Sequence, residues 1–92
     1  MSKYGKTVFK RTGMELGCEE NCACVKSDEE TIMLNITATI VWSYIDSHMD
    51  VESICDTMKA LYKEANTEDY IESVVDDSID LLLEKSIIEK IC

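Results

Sequence analysis

An α+β domain is the fold class this sequence predicts, and three observations predict it. Short strand-like runs are confined to the first third, up to Leu34; at Asn35 the apolar period changes from two to that of a helix and stays there to Lys85; and the two kinds of element follow one another in blocks rather than alternating. Composition agrees, since 46% hydrophobic and 30% charged residues describe a folded globule rather than a disordered chain. Ninety-two residues suit a single domain spanning 1–92 with a modest core.

The strand-like runs are "TVFKR", "MEL", "CACVK" and "TIMLN", separated by polar turns of which "SDEE" is the tightest. They predict one small antiparallel sheet of about three strands. After them Asn35 or Thr37 can cap a first helix whose residues Ile36, Ile40, Val41, Tyr44 and Ile45 recur at helical spacing up to about Asp46. Asp50 caps the second helix, with Val51, Ile54, Cys55, Met58, Leu61 and Tyr62 on one face. Thr67 caps the third, with Glu68 and Asp69 placed favourably against the positive end of its dipole.

The third helix has an unusual cross-section. At 100° per residue, Tyr70, Ile71, Val74, Val75, Ile79, Leu81, Leu82 and Leu83 cover roughly 220° of its circumference, about twice what one packing partner needs. Either it is the central helix, packed on several neighbours, or one shoulder lines an open groove. The tail "IIEKIC" resumes an apolar pattern and reads as a last short strand or a wing.

Charge narrows the function classes. Nineteen acidic against nine basic residues give a formal net charge of -10, which repels phosphate backbones and anionic headgroups, so nucleic acid and membrane surfaces are not expected partners. A transcription-type winged helix is disfavoured on the same ground. No apolar run is long enough for a membrane span, and "MSKYGKTVFKRTGM" lacks the pattern of a secretory signal, which together predict a cytoplasmic protein. Five cysteines, Cys18, Cys22, Cys24, Cys55 and Cys92, are an odd number and read as reduced thiols.

Three motifs invite sharper readings. C-x3-C-x-C at Cys18, Cys22 and Cys24 falls one residue short of the radical SAM cluster spacing and lacks the paired C-x2-C of zinc ribbons, so no metal or other cofactor is expected; Cys22 and Cys24 share a strand face and read as small core residues. Asp77-Ser78-Ile79 resembles the Asp-Ser-Leu at which acyl carrier proteins receive phosphopantetheine, but Ser78 lies inside a predicted helix rather than at its start. His48 reads as a surface residue, and Trp42 and Tyr44 as packing residues. No side chains pair as nucleophile and base, so no catalytic residue is assigned and the chain is not expected to be an enzyme.

The segment from Ile32 to Ile88 resembles the PqqD family, small peptide chaperones of winged-helix-like fold. The residues that carry the likeness are Leu34-Asn35, Ile40, Trp42, Val51, Ile54, Met58, Asp76, Leu82 and Leu83. The resemblance implies three strands then three helices, and a non-catalytic module that binds the leader segment of a ribosomally made precursor peptide and presents it to a modifying enzyme, a radical SAM maturase acting in trans. It further implies that the leader adds as a strand beside Thr31, Ile32, Met33 and Leu34, with side chains entering toward Ile71, Val75, Ile79 and Leu82. Ser86 departs from the family, which commonly has glycine after the third helix, and Cys18, Cys22 and Cys24 are not family features. Physics gives the mode of binding independently: an open edge offers unpaired N–H and C=O groups to a partner strand, or to a second copy as a homodimer.

Overall fold

The computed structural model describes residues 2–28, 30–62 and 68–91. Phe9–Arg11 forms β1, Met14–Glu19 β2, Cys22–Lys26 β3 and Thr31–Met33 β4; the helices α1 (Ile36–Asp46), α2 (Val51–Tyr62) and α3 (Glu68–Glu84) follow, and Ile88–Lys90 closes the chain as β5. The α+β class is as the sequence predicts, but the single predicted sheet is two. One is three-stranded, in the order β2-β3-β4, and the other pairs β1 with β5 antiparallel, Phe9 against Lys90 and Arg11 against Ile88.

Gly13 makes that division possible. A Cβ there would lie 2.7 Å from Val25 Cγ1 and 2.9 Å from Ile87 Cγ2, so only glycine lets the chain cross this closely from one sheet to the other. Beside it, the Thr12 N–H donates to the Ile87 carbonyl (2.8 Å) and its hydroxyl to the Ser86 carbonyl (3.0 Å), which holds β1 to the tail. β2 is longer than the predicted "MEL". It returns to β3 through Glu20 and Asn21, whose positive φ values of 54° and 66° are the signature of a type I′ hairpin.

The helices begin and end for visible reasons. Asn35 is the cap of α1, its Oδ1 accepting from the Ala38 N–H at 2.8 Å, and Asp50 Oδ1 accepts from the Ser53 N–H at 2.7 Å at the start of α2. The predicted cap of α3, Thr67, lies outside the described residues. α3 ends in a complete Schellman motif: Ile87 N–H donates to the Leu82 carbonyl and Ser86 N–H to that of Leu83, while Ser86 takes φ 60°. Serine thus occupies the left-handed position where glycine is favoured, and the buried contact of Leu82 with the segment at Ile87 holds it there.

One core joins all layers. It takes Ala23, Val25, Ile32 and Leu34 from the larger sheet, Val41, Trp42 and Ile45 from α1, Ile54, Cys55 and Met58 from α2, and Ile71, Val75, Ile79 and Leu82 from α3, with Phe9 and Ile88 from the smaller sheet. α3 is the central helix, packed against α1, α2 and β5. Arg11 lies over the Trp42 ring at 4.6 Å and donates from Nε to the Trp42 carbonyl, sealing α1 against β1. Cys22 and Cys24 do not join this core. Alternation along β3 turns Ala23 and Val25 inward, both fully buried, and sends the two cysteines to the outer face, where they are half-buried free thiols.

The N-terminal residues strap the outer side of α3. Ser2 Oγ (2.5 Å) and the Lys3 N–H (3.0 Å) donate to the Asp76 carboxylate; Lys3 Nζ (2.6 Å) and the Tyr4 hydroxyl donate to Asp80. The Tyr4 ring meets Phe9 edge-on at 5.7 Å. The hydrogen bond from Lys3 holds the Asp80 carboxyl below its usual range, and burial pushes the Tyr4 hydroxyl up to about 12. A carboxylate whose pKa is depressed by folding stabilises the fold above its unfolded value, and that contribution is lost as pH falls through the folded value. The Tyr4 contribution has the opposite sense: it is complete below the unfolded tyrosine value and is lost as pH rises through about 12. Replacing Asp80 by Asn should lower the melting temperature at pH 7 by a few degrees, and thermal melts should show the gap to the parent closing as pH falls below the ordinary aspartate range and the parent carboxyl itself becomes neutral.

Candidate functional site

Among the described residues β4 pairs with β3 and with no other strand, so its far side is a sheet edge. Which groups that edge offers follows from the register. Cys24 faces Met33, Val25 faces Ile32 and Lys26 faces Thr31. The Leu34 N–H donates to the Ala23 carbonyl (2.8 Å) and the Ser27 N–H to the Glu30 carbonyl (3.0 Å), so the bonded rungs fall on Glu30, Ile32 and Leu34. Thr31 and Met33 therefore turn their N–H and C=O groups outward, and among the described residues no backbone hydrogen bond outside the β3 ladder reaches either. Both side chains are exposed, Met33 at 65%, as is Ile36 at the start of α1 at 53%.

The last rung of this ladder is completed by a side chain. Thr39 Oγ1 accepts from the Ala23 N–H at 2.9 Å and donates to the Leu34 carbonyl at 3.5 Å, joining β3, the end of β4 and the first turn of α1. The chain then turns away from the edge into α1.

The three-stranded sheet has a second edge, at β2, and the two differ. β2 carries a register shift between Glu15 and Gly17, a bulge that interrupts its row of donors and acceptors, with the carboxylates of Glu15 and Glu19 along it. β4 is regular and short. Bulges and charges blunt an edge against pairing, so β4 is the better template.

Of the predicted site residues, Thr31, Ile32, Met33 and Leu34 lie on or next to this edge, Thr31 and Met33 exposed and Ile32 and Leu34 buried inward. The predicted helical wall sits elsewhere in the free chain: Ile71, Val75, Ile79 and Leu82 are all core residues, none more than 4% exposed. The more exposed shoulder of α3, among the described residues, is the next column round. At 100° per residue Tyr70, Val74 and Leu81 fall within roughly 60° of Lys85 on the helix, and Lys85 Nζ lies 3.9 Å from Glu30 Oε1, just ahead of β4. Tyr70 is exposed, and Val74 and Leu81 are half-buried. These three belong to the wide apolar arc read from the sequence; what the arc could not reveal is that α2 and the strap cover its other side, where Lys59 holds Glu72 (2.7 Å) and residues 2–4 hold Asp76 and Asp80.

The turn between β3 and β4, the end of α3 and the residues Thr12 and Met14 bound an open cleft of about 1100 Å3. Asp28, Glu30, Glu84 and Glu89 line it against Lys26 and Lys85, so this end of the edge is acidic on balance. Among the described residues no group of three or more His, Cys, Asp or Glu side chains is arranged to hold a metal ion, and His48 is exposed beyond the end of α1. Ser78 is 7% exposed at mid-helix and donates to the Val74 carbonyl, so it is not presented as a carrier serine would be. No described helix is long and apolar enough to cross a membrane.

The relay at Thr39 gives a direct test of how the edge is held. Thr39→Val leaves the buried Ala23 N–H without its acceptor and should cost about 1–3 kcal/mol in denaturant unfolding, whereas Thr39→Ser should keep most of the stability.

Comparison with known protein families places residues 24–88 within the model described as Coenzyme PQQ synthesis protein D (PqqD), which covers more than half of the chain. Comparisons with curated proteins and with solved structures give no match.

Proposed function

Because the chain belongs to the PqqD family, whose members are accessory proteins of PQQ and related peptide-derived biosynthesis, we propose that it is a non-catalytic chaperone that binds the leader of a precursor peptide by adding it as a strand beside β4 and presents it to a modifying enzyme. The observation that carries this reading is the pair of outward backbone positions at Thr31 and Met33, regular and unbulged, on the edge whose preceding residue Glu30 meets Lys85 at the end of α3. A strand laid there gains main-chain hydrogen bonds that any sequence can make, and its alternate side chains meet either the outer face beside Met33 or the shoulder of Val74 and Leu81. Affinity then comes from the ladder and selectivity from the side-chain positions.

Charge complements the mechanism. A domain of net charge -10 steers cationic partners toward it, and the acidic end of the edge favours a basic residue in the leader or on the enzyme. The enzyme partner we propose is a radical SAM maturase acting in trans, with the peptide held on β4 during the reaction.

Proline at Met33 isolates the backbone contribution. Its N–H points away from β3, so an edge proline is compatible with the free fold, yet it deletes a donor and puts a ring where the added strand would lie. Amide-shift titration of the labelled protein with a candidate leader peptide should show saturable changes along Thr31–Leu34 and α3, and Met33→Pro should weaken binding by about tenfold or more while Met33→Ala does so far less. Saturation without shifts at β4, or equal binding by the proline variant, would reject strand addition.

A further inference from the structure

We propose that the outer face of the three-stranded sheet carries a site for a soft monovalent metal ion, copper(I), held by the Sγ atoms of Cys22 and Cys24 with the thioether of Met33 as third donor. The proposal does not rest on peptide binding, although it shares Met33 with the edge proposed for it, and it follows from what the register of β3 and β4 brings together. Cys22 and Cys24 are free, half-buried thiols, two residues apart on the outward face of one strand. Met33 stands directly opposite Cys24 on the same face. Their rung lies between the bonded ones, the kind in which facing Cβ atoms approach to about 4.5–5.5 Å. Met33 is 65% exposed, so its sulfur is accessible from solvent.

The spacing decides between two fates for such a thiol pair. Alternate residues of a strand stand about 6.6 Å apart with side chains parallel, whereas a disulfide wants Cβ atoms at about 3.8 Å, so closing one would buckle β3. A bridging ion relaxes that demand. With metal–sulfur bonds of about 2.3 Å the two sulfurs need come only to about 4.6 Å, which side-chain rotation can supply. The strand therefore suits a thiolate–metal–thiolate bridge better than a bond between the sulfurs.

Donor chemistry selects the ion. Two thiolates and a thioether form a soft set that favours copper(I), while zinc seeks four donors of which only two are offered here by cysteine. Binding releases the two thiol protons and leaves copper in the +1 state, so the loaded site bears one net negative charge. Lys26, two residues beyond Cys24 on the same face, supplies a nearby counter-charge. Cys55 is the internal contrast: it is 2% exposed in the core, and burial pushes its thiol up to about 11, so it offers no thiolate.

The test is anaerobic titration of the full chain with copper(I) in competition with bicinchoninate. One copper(I) per chain should be retained. The Cys22→Ser/Cys24→Ser double variant should lose about 100-fold or more in affinity and Met33→Leu about tenfold, with Cys55→Ser unchanged. Circular dichroism of each variant separates ligand loss from unfolding. Copper surrendered fully to bicinchoninate, or retained equally by the double variant, would overturn the proposal, and indifference to Met33→Leu would overturn the three-donor geometry.

Discussion

The hydroxyl of Thr39 and the side chain of Asn35 together turn the chain out of β4, and the open edge depends on that turn. Antiparallel strands joined by a short loop fold back on each other, so an edge strand is normally covered by whatever follows it unless the chain leaves the sheet at once. Here Asn35 caps α1 two residues after β4 ends, and Thr39 completes the final rung with a side-chain oxygen where the departing backbone no longer can. The segment that might have covered the edge instead buries Val41, Trp42 and Ile45 in the core. Thr31 and Met33 are left with their outward groups in water.

The same economy of covering explains α3. A helix that is apolar over more than half its circumference must be enclosed on several sides or else present a surface. Its inward column, Ile71, Val75, Ile79 and Leu82, is closed by the core; one flank is closed by α2 and by the N-terminal strap on Asp76 and Asp80. What remains is the column of Val74 and Leu81 that ends at Lys85, the residue that meets Glu30 beside β4. The Schellman turn at Ser86 then takes the chain into β5 and so to β1, away from that side. Among the described residues, edge and shoulder are left exposed because the neighbouring elements are committed elsewhere.

Much of this was legible from the residues. Helical periodicity with caps at Asn35 and Asp50 fixed α1 and α2 closely, because those signals are local and repeat over several turns. The position of β4 before the switch in period was equally clear. The pairing of β1 with β5 was not, since two three-residue strands almost eighty positions apart leave no local trace, and the glycine that separates the sheets acts through contacts with Val25 and Ile87. Cys22 and Cys24 could be put on one face of a strand but not on the correct one, because small sulfur side chains suit either; Ala23 and Val25 decide the matter only once the core is seen. The columns of α3 share one apolar arc in sequence, and only the strap and α2 distinguish the enclosed column from the exposed one.

The central claim is that one side of β4 is unpaired in the isolated monomer, and residue-resolved amide hydrogen exchange on the ligand-free chain reads it most directly. The account predicts alternation within four residues: slow exchange at Ile32 and Leu34, whose N–H groups face β3, and fast exchange at Thr31 and Met33, whose N–H groups face solvent. Protection of Thr31 and Met33 equal to that of Ile32, at concentrations where the chain is monomeric, would mean that the edge is already filled and would contradict the account.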